Sequence, residues 1–163
     1  MLEAEGYDIF PIPGLKKYAE AYLPKKPNIV FVDEDQQLSQ PLRYRFTIAE
    51  ELAHILIARR IFDRMGRGEI EKIFHQMSDS DYADFERNAK YLAACILLPK
   101  LAFIERFGLH KDRLSVKIVN PSEIAARAIL AIALEFEVSK EPVAYRAKHL
   151  NLVTEECLLG MGL

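Results

Sequence analysis

The sequence predicts an α+β fold that is mostly helical, with a small antiparallel sheet near the N-terminus. Apolar residues recur at helical spacing in several segments from about residue 43 onward, whereas one short β-branched and aromatic run, residues 28–33, is typical of a strand. The 163 residues contain no internal repeat and no linker long enough to separate two domains. We therefore expect a single domain over residues 1–163.

The N-terminal segment predicts one short helix before the strand. Prolines and a glycine punctuate it, and residues 15–23 between them show the amphipathic pattern of a short helix. Residues 28–33 follow as the strand, and a loop containing Pro41 comes next.

Two longer helices are predicted in the centre of the chain. The first covers about residues 43–65, and its apolar stripe consists of Ile48, Leu52, Ile55, Leu56 and Ile61. A short helix over residues 69–76 should follow. The second long helix covers about residues 80–98, because polar residues just before it provide an N-cap and an acidic first turn, and Pro99 ends it.

The C-terminal third predicts three further helices. A short one should end near Gly108, with a loop or strand at residues 114–119 after it. Asn120 is a typical N-cap for a helix that continues to about Phe136, and residues 140–149 should form the last helix.

Composition excludes several classes of function. A net charge of −2 gives no general electrostatic attraction to nucleic acid or to an anionic membrane. The longest apolar runs are too short to span a bilayer, and the first ten residues lack the apolar core of a signal peptide. Cys95 and Cys157 form neither a C-x-x-C motif nor a disulfide framework, which favours buried thiols in a reducing cytoplasm. We expect a cytoplasmic protein with no membrane partner.

The most informative motif is Glu50-Glu51-Leu52-Ala53-His54, within RFTIAEELAH at residues 45–54. In the zinc-peptidase motif H-E-x-x-H, two histidines four residues apart hold one zinc ion from the same helical face, and the glutamate activates the bound water. Glu51 and His54 match that motif. Glu50, however, places a carboxylate where the first histidine would be.

Three segments together resemble the ImmA/IrrE family of zinc metallopeptidases. RFTIAEELAH is similar to the family's RFT-[IL]-A-H-E-L-G-H, and NAKYLAACILLP at residues 88–99 to its E-A-N-x-F-A-A-x-L-L-M-P. Residues 134–150 are similar to its closing segment, of the type L-A-x-x-F-x-V-S-x-x-A-V-x-x-R-L. The resemblance covers about residues 28–153 and implies a zincin-like motif helix packed on a second motif helix. It also implies an intracellular domain related to peptidases that cleave repressors of mobile elements or of DNA-damage responses.

The resemblance implies a particular set of site residues. The family's metal is held by both motif histidines and by the glutamate that opens the second motif, which correspond here to Glu50, His54 and Asn88, with Glu51 as the base. Zinc accepts carboxylate ligands, but a neutral amide is a poor donor to it. Asp84, one turn before Asn88, is a possible substitute ligand, or else a solvated acid in the first helical turn.

Two states of this site follow from the exchanged residues. In a metal-free site, Glu50 pairs with His54 and accepts hydrogen bonds from the Asn88 amide, so that the polar groups are satisfied without a cation. We favour that arrangement, or weakly bound zinc, over an ordinary zinc centre. The favoured function is a degenerate metallopeptidase-like domain, a pseudoenzyme without ordinary zinc proteolysis that binds a protein in a regulatory or mobile-element setting.

Two other functions are also compatible with the sequence. One is an active zinc-dependent endopeptidase that cleaves a regulatory protein with an altered ligand set. The other is a DNA-binding module, because the C-terminal helix pair has helix-turn-helix spacing and carries Lys140, Arg146, Lys148 and His149. Glutamates at positions 135, 137 and 141 would repel a phosphate backbone, so the sequence disfavours nucleic acid as a partner.

Overall fold

A small sheet and a series of helices make up the computed structural model, which describes residues 2–17, 21–22, 29–62 and 77–159. The chain divides into two compact units, residues 1–93 and 94–163. The predicted class, mostly helical with a small N-terminal sheet, is confirmed. The single domain over residues 1–163 stays a prediction, and the helix predicted at residues 69–76 lies outside the described residues.

The sheet has three strands in the order β1-β3-β2: β1 is Asp8–Ile12, β2 is Ala21–Tyr22 and β3 is Ile29–Asp33. β2 pairs with β3 in the antiparallel direction, but β1 runs parallel to β3. The expectation of an antiparallel sheet is therefore wrong for the longer strand pair. Residues 13–28 form a connection long enough for the crossover that parallel neighbours require.

The helix predicted over residues 15–23 is also wrong. Leu15–Lys17 form a single turn of 3-10 helix, and Ala21–Tyr22 form strand β2. Tyr22 lies opposite Phe31 in the sheet, and aromatic residues favour paired strands. Pro24 also disfavours helical backbone at the residue before it, so a helix reaching that point has little local support.

Three helices follow within residues 29–62 and 77–97: α1 is Glu34–Ser39, α2 is Pro41–Phe62 and α3 is Asp79–Leu97. Pro41, expected in a loop, is instead the first residue of α2, where its missing N–H costs nothing. In the apolar stripe of α2, Ile48, Leu52 and Ile55 are buried and Leu56 is half-buried. At the start of α3, the hydroxyl oxygen of Ser78 accepts a hydrogen bond from the Asp81 N–H at 3.2 Å.

Four helices lie within residues 98–159: α4 is Lys100–Ser115, α5 is Pro121–Glu135, α6 is Lys140–His149 and α7 is Glu155–Leu159. The predicted bounds of α5 and α6 are confirmed, but α4 continues through Gly108. A glycine within a helix costs about 1 kcal/mol. Phe103 and Phe107 offset it, since both are buried and their rings stack at 5.8 Å. No helix in the described ranges is both long enough and apolar enough to cross a membrane.

Asn120 caps the N-terminus of α5. Its side-chain oxygen accepts hydrogen bonds from the N–H groups of Ser122, at 2.9 Å, and Glu123, at 3.5 Å. We expect Asn120→Ala to lower the free energy of unfolding by about 1 kcal/mol, measured by urea denaturation, because two N–H groups lose their acceptor. Asn120→Asp keeps an acceptor and is the matched control. An equal loss in both variants would contradict the capping role.

Candidate metal centre

The polar residues of the EExxH motif lie on one continuous helix, α2. Glu50 and His54 are four residues apart and therefore occupy the same helical face. Ala49 and Ala53, next to them, are fully buried, and Leu52 is nearly so. Packing of this apolar stripe draws the neighbouring polar side chains partly out of solvent, and Glu50, Glu51 and His54 are all half-buried.

The third member of the cluster is Glu86, on α3. Glu50, His54 and Glu86 each offer one ligand atom, and these atoms lie within 4.8 Å of one another. Nε2 of His54 is 3.5 Å from Oε1 of Glu86, and the His54 ring lies 5.0 Å from the ring of Phe85. The motif helix therefore contacts the beginning of the second helix, which agrees with the arrangement implied by the resemblance.

The structure brings Glu86 to His54 from the segment where the sequence had indicated Asn88 or Asp84. Asn88 is exposed, and side chains two residues apart on a helix point to opposite sides, so it faces away when Glu86 faces inward. Asp84 is also exposed and forms an ion pair with Arg87 at 2.6 Å. Neither residue belongs to the cluster as the structure arranges it.

The spacing of the apolar residues along α3 is the sequence signal that could have identified Glu86. Ala89 and Ala93 are fully buried and Leu97 nearly so, which defines the inner face of the helix. Glu86 precedes Ala89 by three residues and so continues that face toward the N-terminus. Matching the family's glutamate to the residue just before Ala89 overlooked this spacing.

Burial and mutual repulsion alter the protonation of the cluster. The pKa of Glu51 is raised from 4.5 to about 7, first by burial and then by the negative charges of Glu50 and Glu86. The pKa of His54 is lowered, chiefly by burial, with Lys90 acting in the same direction and Glu86 against it. His54 is therefore neutral at pH 7, which is the form of imidazole that binds metals.

The residues present fit a divalent cation in chemistry. Nδ1 of His54 is buried and has no hydrogen-bond partner among the described residues, so within that part of the chain the ring carries an unsatisfied polar atom. Two carboxylates and one imidazole are all ordinary ligands of transition-metal ions. The ligand atoms of the three residues lie within 4.8 Å of one another, so Glu50, His54 and Glu86 are the residues that would hold the ion.

Similarity to a known protein family extends over most of the chain. Residues 3–148 match the family model described as the IrrE N-terminal-like domain. The chain belongs to this family. The match covers both α2 and α3 and confirms the resemblance to the ImmA/IrrE metallopeptidase-like domains. Neither the curated proteins nor the solved structures gave a match.

In the C-terminal helix pair of this ImmA/IrrE domain, two of the predicted cations, Arg146 and Lys148, contact other residues of the protein. Arg146 is only 5% exposed, and its guanidinium donates hydrogen bonds to the carbonyl of Leu98 at 3.3 Å and to Sγ of Cys95 at 3.1 Å. Lys148 forms an ion pair with Glu155 at 2.6 Å. A phosphate backbone would have to compete with these contacts, which counts against the DNA-binding alternative.

Proposed function

We propose that this ImmA/IrrE domain lacks ordinary zinc proteolysis and acts in the cytoplasm by binding a regulatory protein, in a regulatory or mobile-element setting. The observation that carries the proposal is the position of Glu50. Its carboxylate lies among the ligand atoms of His54 and Glu86, at the place where the intact motif has a histidine. The departure from the peptidase pattern therefore falls within the reactive centre.

The charge of the ligand set explains why this exchange would weaken hydrolysis. Glu50, His54 and Glu86 together carry a charge of −2 when His54 is neutral, whereas a set with two histidines and one glutamate carries −1. A bound divalent cation would acidify a water molecule at an open ligand position. Each additional anionic ligand reduces the positive charge that acts on that water. Glu50 thus reduces the activation on which proteolysis depends.

Glu51 occupies the base position of the motif. With a pKa of about 7 in the metal-free protein, its carboxyl group holds a proton in about half of the molecules at neutral pH. A protonated carboxyl cannot accept the proton of an attacking water, but the ionised half can, and a general base works best when its pKa lies near the operating pH. We therefore attribute the weakened hydrolysis to the charge of Glu50 and not to Glu51.

A domain of this family that no longer hydrolyses peptides can still bind a protein. The family is known for recognising repressor proteins, and the contact between α2 and α3 that forms its scaffold is present here. Loss of hydrolysis with retention of the scaffold leaves the recognition surface intact. This supports a regulatory protein as the partner, by analogy with the family.

An active metal-dependent endopeptidase is the second candidate, and one observation favours it. Glu86 supplies a charged third ligand, so the site does not depend on the weak amide of Asn88 or on Asp84. With Glu50, His54 and Glu86 as ligands and Glu51 beside them, every role of the peptidase site has a residue.

Metal analysis separates the two candidates. We expect the protein, purified without added metal, to contain well under one zinc ion per chain, measured by plasma mass spectrometry. Glu50→His, purified in parallel, should contain more, because it restores the second imidazole. Zinc close to one per chain in the unaltered protein would contradict the proposal and favour the endopeptidase. Salt-dependent binding of duplex DNA would instead favour the nucleic-acid alternative.

A further inference from the structure

We infer that Glu50 shifts the metal preference of this site away from zinc and toward harder divalent cations of the Mn²⁺ type. The inference rests on the proposed function, since it concerns the same cluster and explains which ion an altered site would take. Carboxylate oxygens suit Mn²⁺ and Mg²⁺, whereas imidazole nitrogen suits zinc, copper, iron and nickel. Exchange of one imidazole for a carboxylate therefore removes more affinity for zinc than for manganese.

The electrostatics of the cluster favour the same ion class. Glu50 and Glu86 place two carboxylates beside the His54 imidazole, with ligand atoms within 4.8 Å of one another, and Glu51 adds a third carboxyl group next to Glu50 in the sequence. A hard cation gains most of its binding energy from such charge, while zinc gains relatively more from nitrogen and sulfur donors. His54 still supplies one nitrogen, which favours a transition metal over Mg²⁺ or Ca²⁺.

Solvent access at the site suits an ion with more than four ligands. The side chain of Glu86 is 31% exposed, whereas that of His54 is 13% exposed, so the cluster opens to water on the α3 side. Octahedral ions complete their shells with water, while zinc at protein sites is usually tetrahedral. The three protein ligands would leave three positions of an octahedral ion for water.

The quantity that Glu50 is expected to change is the ratio of the site's affinity for Zn²⁺ to its affinity for Mn²⁺. Nearly any site of nitrogen and oxygen ligands binds Zn²⁺ more tightly than Mn²⁺ in absolute terms. The informative comparison is therefore between this protein and its Glu50→His variant, in which the dissociation constants for both ions are measured on the full chain.

Calorimetric titration with MnCl₂ and with ZnCl₂ tests the inference. Glu50→His should strengthen zinc binding more than it changes manganese binding, so that the ratio of the manganese to the zinc dissociation constant rises about tenfold or more. Asn88→His is the matched control, since it adds a histidine on the exposed side of α3 and should leave the ratio unchanged. The metal-induced rise in melting temperature gives a second readout that does not depend on activity.

Each outcome decides the inference. An unchanged ratio in a folded Glu50→His variant would overturn it, and so would an unaltered protein that binds neither ion. The proposed function fails on a different result, zinc near one per chain after purification. If Glu50→His does not fold, Glu50→Gln should weaken Mn²⁺ binding about 100-fold by removing the charge while keeping an oxygen. Unchanged Mn²⁺ affinity in that variant would also overturn the inference.

Discussion

Glu86→Gln is expected to weaken divalent-metal binding by about 100-fold, whereas Asn88→Ala should leave it within about twofold. Structural zinc sites gain roughly 10–16 kcal/mol from four ligands, so loss of one charged ligand costs about 3 kcal/mol. Glu86 contributes a ligand atom within reach of Glu50 and His54, but Asn88 lies on the exposed side of α3. Titration of the metal-free proteins with Zn²⁺ and Mn²⁺ measures both effects.

Asp84→Asn is the second control for this prediction. Asp84 is exposed and paired with Arg87, so its charge should be dispensable for the metal. A loss of affinity in the Asn88 or Asp84 variant as large as that in Glu86→Gln would favour the ligand positions read from the sequence over those in the structure. Circular dichroism of each variant separates a lost ligand from a lost fold.

The two halves of the candidate site differed in how well the sequence predicted them. Glu50 and His54 were predictable because their spacing lies within one helix, where local geometry fixes the relation between side chains. To predict which residue of α3 faces the cluster, one must know which side of α3 packs against α2, and the two segments are about 30 residues apart in the sequence. The sequence match around Ala89 pointed to this helix, but the glutamate that lies next to His54 in the structure is Glu86, two positions before Asn88.

The same difference between local and long-range determinants is seen in the secondary structure. Helices α5 and α6 were predicted closely, because capping residues and apolar spacing near their ends determine them. Strand direction in the sheet depends on which distant segment pairs with β3, and the local pattern carries no such information. Gly108 is a signal to stop a helix, but the buried aromatic residues of α4 outweigh it.

Glu51→Gln is expected to raise the free energy of unfolding of the metal-free protein by up to about 3 kcal/mol at pH 7.5, with little effect at pH 4.5. The pKa of Glu51 is about 7 in the folded protein and 4.5 for a solvated glutamate of the unfolded chain, and each unit corresponds to about 1.4 kcal/mol. Because the folded pKa is raised, the folded state binds more protons than the unfolded state between these values. The stability contributed by protonated Glu51 is complete below pH 4.5 and is lost as the pH rises to and past 7.

Urea denaturation in the presence of a chelator, at pH 4.5, 6 and 7.5, measures the effect. The difference in unfolding free energy between Glu51→Gln and the unaltered protein should grow across this range, since the other titrating groups largely cancel in the comparison. Glu105→Gln, at an exposed position on α4, is the matched control for the loss of one carboxylate. A flat difference for Glu51→Gln would contradict the raised pKa and the crowding of charge that causes it.

The same measurement with Mn²⁺ connects this stability cost to function. A bound cation would offset the repulsion among Glu50, Glu51 and Glu86 and lower the pKa of Glu51, so the loss of stability toward pH 7.5 should shrink in the unaltered protein. Glu51→Gln should show a smaller change with metal at that pH, because it has less repulsion to relieve. If Mn²⁺ left the pH dependence of the unaltered protein unchanged, the carboxylates would be a charge cluster of the fold and would not form a metal centre.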